Sequence, residues 1–170
     1  MESGLLHLYI GDGKGKTTAA IGAAVRAAGH GWHVCFAQFM KGGMTGEVPG
    51  LETLGMNVVR SPKTFPFFWE MSEAEQAEFH EEQERIFDRV RGASAALIVL
   101  DEVLDAAEMK LIDEEDLREF IMHRGEDVEL VLTGRGAPEW LKESADYITE
   151  MKKIEHPYHR GVKARPGVEF

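Results

Sequence analysis

The chain predicts an α/β fold in which a mainly parallel central sheet lies between two layers of helices. Three observations lead there. A glycine-rich stretch, Gly11-Asp12-Gly13-Lys14-Gly15-Lys16-Thr17-Thr18, joins an apolar run to an alanine-rich segment of helical character. Short strand-like runs alternate with helical patterns along the chain, which implies parallel strands joined by right-handed crossovers. A near-continuous apolar run, Ala95–Leu100, ends on Asp101-Glu102, as a strand buried on both faces does. Together they specify the three-layer fold of the P-loop NTPase type.

The elements follow in order. Leu5–Ile10 reads as a short buried strand that runs into Gly11. Thr17 to Ala28 reads as a helix stopped at Gly29, and its small residues allow close packing on a sheet. His33–Phe39 is a second strand. Lys41 to Gly50, with Gly42, Gly43, Gly46, Gly50 and Pro49, reads as a mobile loop. Asn57–Arg60 is a short third strand. Ser72 and Glu75 form a capping-box signature that opens a helix to Arg91, with Gly92 as its stop. Phe79, Ile86, Phe87 and Val90 share one face of it, and the glutamates read as a solvated remainder. After the Ala95–Leu100 strand, Leu117, Phe120 and Ile121 mark a helix begun near Asp113. Val128–Leu132 is another buried strand, Ala137 to Asp146 a short helix, and Tyr147–Ile154 a last strand. No repeat, low-complexity segment or linker divides the 170 residues, so residues 1–170 read as a single domain.

The composition narrows the function. The 44% apolar and 29% charged fractions are those of a globular domain. The net charge of −11 opposes nonspecific attraction to nucleic acid or an anionic membrane. Against that acidic background the loop carries Lys14 and Lys16, and the tail carries Lys152, Lys153, Arg160, Lys163 and Arg165. Cys35 is the only cysteine, which excludes an internal disulfide and suits a reducing cytoplasm. No apolar run reaches the ~18 residues of a membrane span. Met1–Gly4 is too short and polar for a signal peptide.

The glycine stretch carries the chemistry. Glycines let the backbone wrap around phosphates with its N–H groups turned inward. The helix that follows adds partial positive charge at its N-terminus. Lys16 reaches a phosphate oxygen and Thr17 offers its hydroxyl to Mg²⁺, with Mn²⁺ as a substitute. The ligand is therefore ATP, bound through Gly11, Asp12, Gly13, Lys14, Gly15, Lys16, Thr17 and Thr18. Three residues separate Gly11 from Gly15, one fewer than the usual spacing, so the loop is shortened. Asp101-Glu102 fits a Walker B pair that orients the metal. Lys41 and Arg135 follow predicted strands at the sheet edge where open α/β folds bind ligands. Each reads equally well as an ATP contact or as an exposed loop charge. The seven histidines show no zinc spacing.

These residues resemble one family, the P-loop ATP:corrinoid adenosyltransferases. The shortened loop at 11–18 and Ala28-Gly29-His30-Gly31 carry the resemblance, as do Gln38-Phe39-Met40-Lys41-Gly42 and Val99-Leu100-Asp101-Glu102. So do Thr133-Gly134-Arg135-Gly136 and the tail His156-Pro157-Tyr158 with Gly161-Val162-Lys163-Ala164. The resemblance implies transfer of the 5′-deoxyadenosyl group of ATP to the Co(I) of a reduced corrinoid, with release of triphosphate. It implies that Lys16 and the loop amides hold the phosphates in an orientation that exposes the 5′ carbon. It implies that Thr17 with Glu102 helps bind the metal, beside the Asp101 that the Walker B reading adds. Phe67-Phe68-Trp69 is similar to an aromatic segment of the family near the corrinoid, which implies that Phe67 and Trp69 fill the space beneath cobalt. By residue type alone these rings are loop anchors or core. A reduced flavoprotein donor and a homodimer are further implications. Many members carry an N-terminal helical extension over the site. With four residues before the first strand, this chain implies that such a cover is missing or replaced.

Two other functions share the loop. A small-molecule kinase would release ADP in place of triphosphate. An ATP-driven switch or nucleic-acid motor would bind single strands in a salt-sensitive way, which the acidic balance disfavours. The basic tail either contacts corrinoid or phosphate, or only closes the fold.

Overall fold

In the computed structural model, residues 3–43 and 45–169 are described, so the expectations for Met1–Gly4 and Lys41–Gly50 each include residues outside that set. Six strands form one sheet: β1 (Leu6–Ile10), β2 (Val34–Gln38), β3 (Asn57–Arg60), β4 (Leu97–Asp101), β5 (Glu129–Thr133) and β6 (Tyr147–Glu150). Their order is β3-β2-β4-β5-β1-β6, and every pairing is parallel. The helices are α1 (Lys16–Gly29), α2 (Glu47–Thr53), α3 (Glu73–Arg91), α4 (Val103–Glu108), α5 (Glu114–Met122) and α6 (Glu139–Ser144).

The strand period of two divides the core. Val34, Phe36, Leu97, Val99 and Val131 turn to the face that carries Ala20 and Ala24 of α1 and Leu51 of α2. Cys35, Ala37, Ile98, Leu100, Leu130 and Leu132 turn to the other face, against Ile86 and Val90 of α3, Leu117 of α5 and Leu141 of α6. Three layers result, and both faces of the central strands are dry, as their unbroken apolar runs predict. Cys35 is fully buried, and burial pushes its thiol up to about 11, so it behaves as a small apolar residue.

The start of α3 is set by its own sequence. Ser72 Oγ accepts the Glu75 N–H at 3.3 Å, and Glu75 Oε2 accepts the Ser72 N–H at 2.8 Å. Two N–H groups without helical partners are thereby satisfied. Ser72→Ala is expected to cost about 1 kcal/mol of stability, read as a lower urea midpoint at unchanged slope.

Several boundaries depart from expectation. Part of the expected loop is helix α2. Pro49 is its third residue, where the backbone N–H has no helical partner to lose, and buried Leu51 anchors the turn. Helix α4 follows β4 at once, and its N-cap, Glu102, makes no side-chain capping bond that a sequence pattern would reveal. On α3, Glu82 is buried beside Arg85 at 3.0 Å, so that glutamate does not belong to the solvated face. The last strand ends at Glu150 instead of Ile154, and α6 spans only Glu139–Ser144 behind Pro138.

Because all strands run one way, the carboxyl ends of β1, β2, β4 and β5 meet on a single edge. Gly11, Phe39, Asp101 and Thr133 are delivered there together. Strand β1 is flanked by β5 and β6, so the glycine loop is supported on both sides.

Candidate active site

The loop from Gly11 to Gly15 is shaped by backbone contacts. Gly11 N–H donates to the Arg135 carbonyl at 3.0 Å, and Gly13 N–H donates to the Met151 carbonyl at 2.7 Å. Gly15 caps α1 at φ 114°, and the ammonium of Lys16 curls back to the carbonyls of Gly11 at 2.7 Å and Gly13 at 2.9 Å. Asp12 Oδ1 accepts the backbone N–H of Lys153 at 2.9 Å, and that bond holds its carboxyl below the usual range. Gly11 is required where it stands. Its φ is +113°, and a Cβ there would lie 2.4 Å from the Met151 carbonyl oxygen. Gly11→Ala is expected to destabilise the protein by roughly 1–3 kcal/mol and to weaken ATP binding, measured by thermal unfolding and calorimetry.

Beside the loop lies a cluster of oxygens. Asp101 is fully buried at the end of β4. Its Oδ1 accepts the hydroxyls of Thr17 at 2.9 Å and Thr133 at 2.8 Å, and its Oδ2 accepts the Lys41 ammonium at 2.7 Å. A buried carboxylate needs such partners. The same Thr133 oxygen accepts the Glu102 N–H at 2.9 Å, which fixes Glu102 at φ 63°. Lys41 Nζ also lies 3.2 Å from Glu102 Oε1 and 3.3 Å from Thr17 Oγ1. Burial pushes the Glu102 carboxyl up, against the pull of Lys41. Burial also works against the Lys41 ammonium, but Asp101 and Glu102 outweigh it and raise its pKa.

Loop and cluster open into one cleft of about 1140 Å³. Lys14, Lys16, Thr17, Lys41 and Glu102 line it, together with the aromatic residues Phe65, Phe67, Phe68 and Trp69. The rings of Phe67 and Trp69 are stacked, with centroids 4.8 Å apart and planes 3° from parallel. They are 64% and 77% exposed, so they are not core. Phe65 and Phe68 pack on Phe79 beneath and anchor the segment.

The C-terminal segment supplies a further part of the wall through His156, Gly167, Val168 and Glu169. Lys14 Nζ donates to the Val168 carbonyl at 3.2 Å. Glu169 accepts from Arg165 at 2.8 and 3.0 Å, and Arg165 holds its carboxyl down to about 2. Arg165 and Lys153 thus have carboxylate partners within the chain, the latter Asp12 at 4.0 Å.

The structure brings together the loop residues with Lys41, Asp101, Glu102, Phe67 and Trp69. Arg135 differs. Its side chain is exposed and does not line the cleft, and its backbone carries the contacts to Gly11 and to Asp105 Oδ1 at 3.0 Å. Sequence reasoning missed Gln83, which is fully buried on α3 and accepts the Met40 N–H at 2.8 Å. A signal existed, because Gln83 stands four residues after Phe79 on the apolar face. Gln38 is also fully buried and donates to Glu47 Oε1 at 2.9 Å.

Comparison with known proteins shows the family of the chain. The family model described as ATP:corrinoid adenosyltransferase BtuR/CobO/CobP matches residues 2–170. The corrinoid adenosyltransferase of Escherichia coli (strain K12) is 31% identical over 170 residues, covering 99% of this chain and 87% of that protein. A corrinoid adenosyltransferase of Sinorhizobium sp is 33% identical over 183 residues, covering 99% of this chain and 81% of that protein. One from Pseudomonas aeruginosa is 33% identical over 172 residues, covering 99% and 85% respectively. The shortened phosphate loop, the acid pair closing β4 and the aromatic wall therefore stand in a chain that belongs to the ATP:corrinoid adenosyltransferase family.

Proposed function

We propose that this cleft moves the 5′-deoxyadenosyl group of ATP to the Co(I) centre of a corrinoid, with residues 1–170 acting as one domain. The observation that carries the reading is that the phosphate loop and the Phe67–Trp69 stack face a single cleft. Cobalt attacks C5′, the C5′–O5′ bond breaks, and triphosphate leaves with the bonding electrons. The nucleophile belongs to the substrate, so the chain needs no serine, cysteine or general base. Its task is alignment of cobalt with C5′ and stabilisation of charge on the leaving group.

Lys16, Lys14 and the N–H groups of the loop hold the triphosphate, helped by the N-terminus of α1. Thr17, Asp101 and Glu102 offer the hard oxygen donors that suit Mg²⁺, which when bound would offset the triphosphate charge. The exposed rings of Phe67 and Trp69 occupy the space beneath cobalt and exclude a lower axial donor, which makes Co(I) easier to reach. A reduced flavoprotein supplies the electron, and the active form is a homodimer.

The test is an anaerobic reaction of the protein with chemically reduced cobalamin, Mg²⁺ and ATP. The corrinoid spectrum and the phosphate product are followed together. Adenosylated corrinoid with stoichiometric triphosphate is expected. Absence of a spectral change, with ADP formed only on adding another acceptor, would overturn the reading.

A further inference from the structure

The position of Lys41 is the least expected feature of the cleft. Its ammonium lies at the focus of three oxygens: Asp101 Oδ2 at 2.7 Å, Glu102 Oε1 at 3.2 Å and Thr17 Oγ1 at 3.3 Å. These are the donors assigned above to the metal. The Thr17 hydroxyl has one proton, and its shortest contact is to Asp101 Oδ1 at 2.9 Å. A lone pair of its oxygen is thus left for the cation. The ammonium therefore sits on the three oxygens that would hold a small divalent cation.

We infer that Lys41 is the resident cation of this oxygen cluster, that it keeps free divalent metal out, and that it gives way only to metal delivered with nucleotide. The inference rests on the metal-site reading proposed above and deepens it.

Charge and geometry carry the argument. Two carboxylates and one ammonium leave a net charge of about −1, too little to draw a dication from water into a partly buried site. Mg²⁺ binds oxygen at about 2.0–2.1 Å, so it cannot share these three oxygens with an ammonium already on them. Free metal would have to eject Lys41, leaving that ammonium half-buried and without an anion. ATP changes the balance, because its triphosphate brings the metal and offers the displaced ammonium a new partner. Metal and nucleotide then bind with positive coupling, which by linkage is the same for either order of addition.

The segment around Lys41 suits such a switch. The Met40 N–H donates to buried Gln83 at 2.8 Å, and Met40 stands at φ 57°, so the backbone leading into Lys41 is anchored. The Lys41 side chain is 24% exposed and lines the cleft, within reach of an incoming polyphosphate. Rotation of the side chain alone moves the charge from the oxygens to the cleft.

The experiment titrates Mn²⁺ into nucleotide-free protein and reads free Mn²⁺ by electron paramagnetic resonance. Wild type is compared with Lys41→Met and with Lys41→Gln. The glutamine variant keeps a hydrogen-bond donor for Asp101 and so carries the test if the methionine variant fails to fold. Both variants are expected to bind Mn²⁺ alone at least about tenfold more tightly than wild type. Adding Asp101→Asn to Lys41→Gln is expected to abolish the gain, which separates this site from other surface carboxylates. Equal Mn²⁺ affinity for wild type and the Lys41 variants overturns the inference. The metal-site reading falls separately if Mn²⁺ bound in the presence of ATP is unaffected by Asp101→Asn.

Discussion

Lys16→Ala is expected to lower kcat/KM for ATP by about 10²–10³-fold, the usual effect of removing a donor aimed at developing charge. Calorimetry should show most ATP binding lost. The reason is local. Lys16 Nζ lies 2.7 Å from the Gly11 carbonyl and 2.9 Å from the Gly13 carbonyl, centred over the loop that receives the phosphates. The fold should survive, because the loop is also held by the Gly11–Arg135 and Gly13–Met151 backbone bonds. A thermal midpoint close to wild type, alongside lost binding, separates the phosphate role from a structural one. Unchanged activity would remove Lys16 from the phosphate site.

Trp69→Ala is expected to divide the reaction in two. Starting from Co(II), the rate should fall at least about tenfold, equivalent to about 1.4 kcal/mol of barrier. With Co(I) supplied chemically, the loss should be small. The stacked ring of Trp69 is 77% exposed, so its removal leaves no cavity, and the stability change should stay within about 0.5 kcal/mol. A retained Co(I) reaction with an impaired Co(II) reaction would place Trp69 in the reduction step. Equal losses in both assays would make Trp69 a structural support of the Phe65–Met71 segment.

Much of this site is legible in the sequence because its parts are local. The loop is a run of consecutive residues, and the Asp101-Glu102 pair closes an apolar strand that parallel pairing carries to the same edge. Helix α3 declares itself through Ser72, Glu75 and its apolar face. What escaped is set by partners distant in the chain. Helix α2 holds Gly50 and Pro49, residues that suggest a loop, and is stabilised by burying Leu51 against strands elsewhere. Helix α4 begins without a side-chain cap, because Glu102 is held by Thr133 from β5. Gln83 hides among glutamates, and only the packing of α3 on β2 shows that it pins Met40. From sequence Lys41 reads as an ATP contact or a loop charge, but its hold on Asp101 depends on a register between β2 and β4 that spacing does not reveal.

The sheet order also bears on how the chain assembles. Strand β1 pairs with β5 and β6, which lie far downstream of it in the chain, with Leu6 opposite Leu130 and His7 opposite Tyr147. Contacts so distant in sequence form late and slowly. The glycine loop inherits that delay, because Met151 and Lys153 beyond β6 complete its hydrogen bonding. A nascent chain that lacks β6 holds every residue of the loop and yet no finished phosphate cradle. Nucleotide thus recognises a completed fold: its binding should act mainly to slow unfolding, and it offers no foothold to partial chains.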